Sequence, residues 1–209
     1  MQKGKVLSLK NFRFAEFVAK NNILTILVVL ITAGVAVGIF TEPKLQVLSR
    51  YSASYIERFI ALRSGESFAS VALNSFMSSA LVLLVLFAAG TSMLGVVLVP
   101  ILAAVRGVFF GGVSALLYSQ YSVKGIAFNA VLIIPSAFIF VIALLLAARE
   151  SMRFSILMAK ISLPGSPSVN LAFDFKNYCG RYLFIALIAL ASALTDAVLS
   201  CSFLDSLML

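Results

Sequence analysis

Two charged side chains lie deep inside apolar runs of the sequence, Arg106 and Asp196. Arg106 is the one charged residue in "LVPILAAVRGVFFGGVSALLYS", which runs from Leu98 to Ser119. A guanidinium at that depth in a membrane is costly unless a partner satisfies it. If helices begin at Met93 and Tyr182 on the same side, both charges lie about 20 Å along them.

The spacing therefore predicts that Arg106 and Asp196 form a buried ion pair joining the third and the last apolar runs. A single satisfied pair favours a structural role over a proton or ion pathway. Two alternatives remain open. Backbone carbonyls freed near Pro100 could hold Arg106, or Arg106 could line a wet cavity.

Enzymatic chemistry has few candidate groups in this sequence. The chain has no histidine, which excludes Ser-His and Cys-His nucleophilic sites and histidine metal sites. Asp196 is the only deep carboxylate, whereas a membrane aspartyl protease needs two that face one another. Cys179 and Cys201 are about 33 Å apart along one helix and cannot pair. We expect no catalytic activity, no metal and no cofactor.

The composition indicates an integral membrane protein, with 62% hydrophobic and 11% charged residues. A helix needs roughly 18 apolar residues to cross a bilayer. Runs of at least this length occur at 23–40, 68–89, 93–118, 126–148 and 182–204. The fold class is therefore all-α, a polytopic transmembrane bundle of about five spans with amphipathic surface helices. A basic, amphipathic, cytoplasmic segment (1–22) precedes a single transmembrane domain (23–209).

Basic residues predict the orientation of these spans. The net charge is +8, and we attribute it to membrane topology rather than to nucleic-acid binding. If the chain crosses the membrane five times and its N-terminus is cytoplasmic, ten lysines and arginines lie on the inner side and five on the outer side. The inner ones are Lys3, Lys5, Lys10, Arg13, Lys20, Arg149, Arg153, Lys160, Lys176 and Arg181, and the outer ones are Lys44, Arg50, Arg58, Arg63 and Lys124. The positive-inside rule thus predicts a cytoplasmic N-terminus and an outer C-terminus.

Small residues at four-residue spacing predict close helix packing. They form a G-x-x-x-G at Gly34 and Gly38 and a stripe at Ala103, Gly107, Gly111 and Ala115. Pro100 and Pro135 lie inside predicted spans, where each removes a backbone hydrogen bond and predicts a kink.

The 41–67 segment has apolar residues at three- and four-residue spacing, which predicts an amphipathic helix on the outer surface. The other outer loop, 119–125, is too short to offer a standard protein interface. A partner outside the cytoplasm is therefore expected to dock on this segment, with Tyr51, Tyr55 and Phe59 as the candidate contact residues, and on the outer ends of the second and third spans.

Residues 87–155 resemble the stage II sporulation protein M family. The resemblance is carried by Gly90 and Ser92, Gly95, the basic-Gly centre Arg106-Gly107, Gly111 and Gly112, Gly125, and Pro135 in the middle of the next helix. The five runs and the basic N-terminus are also similar to that family. One departure is "PSAFIF", where broader members often carry a His-Gly and a Glu after the proline.

The resemblance implies a non-catalytic scaffold in the mother-cell membrane of endospore-forming bacteria. Its implied partners are two peptidoglycan-degrading enzymes, stage II sporulation proteins D and P, which act in septal thinning and engulfment. The lipid bilayer is the other partner, and none is a nucleic acid. A transporter or channel subunit for a small solute is the competing interpretation, since such proteins also have broken helices and buried charges.

Overall fold

Helices make up nearly all of the structure, a computed structural model that describes residues 22–42, 44–162 and 171–204. They are α1 (Asn22–Thr41), α2 (Gln46–Ala61), α3 (Phe68–Thr91), α4 (Gly95–Phe128), α5 (Ile134–Ile161) and α6 (Leu171–Phe203), with a π-helical segment (Asn129–Ile133) between α4 and α5. The described ranges contain no strand, and the all-α prediction is confirmed. The predicted basic segment, 1–22, lies outside the described residues except for Asn22, which begins α1.

Four continuous helical runs are long and apolar enough to cross a membrane, and the third covers 67 residues, Gly95–Ile161. This run reverses direction at Ser122, whose φ of 48° lies in the left-handed region that side chains disfavour. Beyond the turn, Nδ2 of Asn129 donates to Oγ of Ser114 over 3.1 Å. A straight helix would hold those residues about 22 Å apart. The run therefore supplies two antiparallel passes, and α4 is unbroken up to the turn.

Contacts between helices give the direction of each pass. Gly34 and Gly38 of α1 lie against successively later residues of α4, so these two helices run parallel. Ser192 of α6 donates to the carbonyl of Ser136, whereas the later Glu150 of α5 pairs with the earlier Arg181 of α6. The α5 and α6 helices are therefore antiparallel. Such alternation is expected of a bundle with successive passes in opposite directions.

Glycines bring α1 and α4 into backbone contact. A Cβ atom on Gly38 would overlap the carbonyl oxygen of Val108, and one on Gly111 would overlap that of Val35. Gly34 and Gly107 face each other one turn away. All four glycines that were predicted to pack lie where α1 and α4 touch, and Ala103 of the same stripe is fully buried. Ala115, the last residue of the stripe, is half-buried.

At the end of the bundle that contains the α3–α4 turn, hydroxyl groups tie α3, α5 and α6 together. The Ser151 hydroxyl donates to the carbonyl of Leu86 over 2.8 Å and lies 2.5 Å from the Tyr182 hydroxyl. Tyr178 donates to the carbonyl of Phe87 and stacks on its ring, with centroids 4.9 Å apart. A Cβ atom on Gly90 would overlap the Tyr178 hydroxyl, so glycine is required there.

The two prolines affect the helices differently. Pro135 lies two residues after the end of the π-helical segment, and the N–H of Ile134 donates to the carbonyl of Asn129, five residues back. The wider turn accommodates the proline ring and its missing N–H, as π-bulges often do. Pro100 lies in the second turn of α4, which continues through it with helical backbone angles. The helix is irregular at Pro135 and unbroken at Pro100.

Candidate functional site

Arg63 lies in the turn between α2 and α3, outside the long passes. The helix α2 ends at Ala61, and Gly65 adopts a φ of +73°, which lets the chain turn back towards α3. Arg63 is held by its own turn, because Nη1 donates to the carbonyl of Phe59 over 3.1 Å. Its guanidinium also lies over the Phe59 ring, 3.5 Å from the centroid, so a cation–π contact fixes its direction.

The guanidinium of Arg63 reaches the carboxylate of Asp196 on α6. Nη2 lies 2.5 Å from Oδ2, and the two side chains are 10% and 7% exposed. Ser75 of α3 completes the arrangement, since its hydroxyl donates to the same carboxylate oxygen and accepts from Nη2 of Arg63 over 2.9 Å. The pair is therefore buried, and each partner also shares a hydrogen bond with Ser75, which helps to retain charges in an apolar setting.

The predicted pair of Arg106 with Asp196 is wrong. Asp196 is paired with Arg63, and Oδ2 receives both Arg63 and Ser75. In the described part of the chain Arg106 takes part in no ion pair or hydrogen bond, and its guanidinium lies 5.7 Å from the centre of the Phe140 ring. Similar depth along two helices does not ensure that two side chains meet. Here Arg63, from a third segment, contacts the carboxylate instead.

Arg106 and Asp196 nevertheless line the same cavity, which agrees with the second alternative for Arg106. The cavity has a volume of about 270 Å³ and lies among α2, α3, α4, α5 and α6. Its charged lining residues are Arg58, Arg63, Arg106 and Asp196, so three positive charges face one negative charge. Ser75, Ser78, Ser79, Ser136 and Ser192 add hydroxyl groups. The cavity is suited to binding an anion, since arginines form charge-assisted hydrogen bonds to oxyanions.

The amphipathic helix predicted within 41–67 is confirmed as α2, but its candidate contact residues lie on different faces. Tyr51 is 68% exposed, whereas Phe59 is 5% exposed and packs edge-on against Phe128. Tyr55 is half-buried with its ring 5.1 Å from that of Phe109, and burial raises the pKa of its phenol. Phe59 is therefore a core residue, and its assignment to a partner surface is wrong.

Sequence reasoning missed Arg63 and Ser75. Arg63 was counted only as an outer-loop charge, and it is 133 residues from Asp196 in the chain. One signal for it exists: Arg63 follows Phe59 by one helical turn, on the apolar side of an amphipathic helix. A cation on that side is directed towards the protein rather than towards water.

No three histidine, cysteine, aspartate or glutamate side chains lie together as a metal-ligand group within 22–42, 44–162 and 171–204. Cys179 and Cys201 are free thiols, as their separation predicts. The motif glycines are explained by packing: Gly95 lies against the carbonyl of Ala89, and Gly125 against that of Leu117 at the chain reversal. The sequence features that carry the resemblance thus specify helix contacts and turns.

Comparison with known proteins assigns the chain to a family. The chain matches no curated protein and no solved structure. A family model described as Stage II sporulation protein M matches residues 23–200, which includes every long pass of the bundle. The chain therefore belongs to the stage II sporulation protein M family and is a sporulation-related membrane protein.

Proposed function

We propose that this chain is a non-catalytic membrane scaffold that recruits peptidoglycan-degrading enzymes during engulfment of the forespore. Membership of the stage II sporulation protein M family supports this role, and the partners implied by the family are stage II sporulation proteins D and P. Such enzymes act on the wall side of the membrane. Their docking surface on this chain must therefore lie outside the cytoplasm.

The observation that carries the proposal is the exposed face of α2, which consists of Val47, Tyr51, Ser54 and Arg58. These four residues are exposed and follow one another at three- and four-residue spacing, so they form one stripe. Tyr51 is an exposed aromatic residue of the type enriched at protein interfaces, and Arg58 adds a charge. The opposite side of α2 buries Ile56 and Phe59 in the bundle, which holds the stripe in a fixed position.

The test is co-purification of protein D-type and protein P-type hydrolases from membranes of sporulating cells with tagged chain. We expect Val47→Ser with Tyr51→Ser to reduce the hydrolases recovered while the chain remains in the membrane. The matched control is Tyr121→Ser, which changes an exposed tyrosine in the α4–α5 turn. If the folded α2 variant recovers as much hydrolase as the wild type, α2 is not the docking surface. If neither hydrolase is recovered with the wild-type chain, the scaffold role is rejected.

A transporter or channel subunit is the second candidate, and the cavity lined by Arg106 favours it. Charged side chains at membrane depth often line substrate pathways. Purified chain in liposomes distinguishes the two functions, since a scaffold produces no solute flux. Flux that disappears with Arg106→Gln would favour the transporter.

A further inference from the structure

The cavity has more positive charge than its own residues neutralise. Arg58, Arg63 and Arg106 line it with the single carboxylate of Asp196, so the charged lining sums to +2. Arg63 uses its guanidinium on Asp196, Ser75 and the Phe59 carbonyl. Arg106 makes no ion pair or hydrogen bond among the described residues, its guanidinium lies 5.7 Å from the centre of the Phe140 ring, and it is eleven residues into α4. An anion in the cavity would give Arg106 the counter-charge that the protein does not supply.

Polar atoms without partners point to the same cavity. Oδ1 of Asp196 and Nε of Arg63 are buried and make no hydrogen bond. Buried polar groups in native proteins nearly always have a partner, which is a protein group, a water or a ligand. Ser78 and Ser79 of α3 also line the cavity. A ligand with acceptor oxygens would pair with the arginines that line the cavity.

An apolar groove continues from the cavity along α3 and α4. Arg106 lines both spaces, and the other residues of the groove are aliphatic, among them Leu81, Val85, Leu102 and Leu144. Its volume is about 250 Å³. On α3 the cavity uses residues 74–79 and the groove uses residues 81–86, so the polar space lies nearer to α2 and the apolar space follows it. This order matches a lipid whose headgroup is at the α2 side and whose chain lies along the outer surface of α3 and α4, where Leu81, Val85 and Val105 are exposed.

We infer that the cavity and groove together form a binding site for an anionic phospholipid. Arg106 binds the phosphate, because the planar guanidinium fork matches phosphate oxygens. One acyl chain lies in the aliphatic groove. This site is a property of the chain itself and does not depend on the scaffold role.

The test uses full-length chain in a neutral detergent, with binding of dioleoyl phosphatidylglycerol and dioleoyl phosphatidylcholine measured by native mass spectrometry and thermal shift. We expect saturable binding of the glycerol lipid and weaker binding of the choline lipid. Arg106→Gln should weaken phosphatidylglycerol binding about tenfold, the effect of losing one hydrogen bond to a charged group. In lipid-free detergent the same variant should melt at a higher temperature than wild type, because an unneutralised cation is removed.

Arg50→Gln is the control, since this exposed arginine of α2 is outside the cavity and should leave binding unchanged. Equal binding of the two lipids to wild type, or unchanged phosphatidylglycerol binding by Arg106→Gln, would overturn the inference. Val85→Phe fills the groove without touching a charge and serves if Arg106→Gln does not fold. It should weaken lipid binding, whereas Val29→Phe on α1 should not.

Inorganic phosphate separates a lipid ligand from a free anion. For a lipid site, phosphate alone should raise the melting temperature less than phosphatidylglycerol does, and Val85→Phe should abolish the difference. Equal protection by phosphate, together with lipid binding that Val85→Phe leaves intact, would show that free phosphate is the ligand and that the lipid assignment is wrong.

Discussion

Arg63, in the turn after α2, is the ion-pair partner of Asp196 on α6, with Nη2 of the guanidinium 2.5 Å from Oδ2. The contact fastens a helix that does not cross the membrane to one that does. Because Ser75 of α3 bonds both groups, three separate elements meet at one buried charge pair. Its loss would release α2 from the bundle, and with it the exposed face that we assign to partner recruitment.

Breaking this pair should destabilise the protein. We expect Arg63→Met or Asp196→Asn alone to lower the free energy of unfolding by about 3 kcal/mol, because each leaves an uncompensated buried group. The double variant Arg63→Met with Asp196→Asn should recover at least part of that loss. Chemical denaturation in detergent micelles measures these values, and a double variant as damaged as the sum of the singles would contradict the pairing.

Arg106 provides the comparison for that cycle. The coupling energy between Arg63 and Asp196 should exceed that between Arg106 and Asp196 by about 1 kcal/mol or more, since only the first two are in contact. Double-variant cycles with Arg106→Gln give the second value. A larger coupling for Arg106 would mean that it, rather than Arg63, neutralises the carboxylate.

Backbone contact between α1 and α4 should make their glycines intolerant of substitution. Gly38→Ala or Gly111→Ala places a methyl group on a carbonyl oxygen of the facing helix, so the helices must separate. We expect a lower melting temperature in detergent and less protein in the membrane. Gly180→Ala is the matched control in α6, where nothing lies within 4 Å of the added atom. Equal damage by Gly180→Ala would show that helix packing is not the cause.

The two faces of α2 should respond differently to substitution. Phe59→Ala removes a buried ring that packs on Phe128 and should cost about 3–5 kcal/mol of folding free energy. Tyr51→Ser changes an exposed residue and should alter stability by no more than about 0.5 kcal/mol. Thermal unfolding of the two purified variants measures both changes in stability. A Tyr51 variant as unstable as the Phe59 variant would contradict the assignment of the faces.

Topology is the remaining prediction. With the N-terminus in the cytoplasm, the odd number of passes places the C-terminus outside, together with α2 and the Ser122 turn on the outer side. Alkaline phosphatase fused after Leu209 should therefore be active, and a fusion within the 149–160 part of α5 should be inactive. The opposite pattern of activities would reverse the orientation of the bundle.

Much of this architecture follows from the sequence alone. Apolar runs predict the long passes, because a helix in lipid needs a continuous apolar surface. The spacing of small residues predicts a closely packed face on α1 and on α4, since a period of four repeats one face of a helix. Apolar residues at three- and four-residue spacing likewise predict the amphipathic helix α2, which the structure has at Gln46–Ala61. These are properties of one helix at a time, and local residue order is sufficient to determine them.

Only the tertiary structure decided which groups meet. Depth along a helix is calculable from residue number, which is why Arg106 and Asp196 were expected to pair. The rotation of each helix about its axis and the reach of a neighbouring loop depend on packing of the whole bundle. Arg63 therefore takes the carboxylate, and Arg106 is left facing a cavity. For the same reason Phe59 and Tyr51, two turns apart on one amphipathic helix, lie respectively in the core and on the surface.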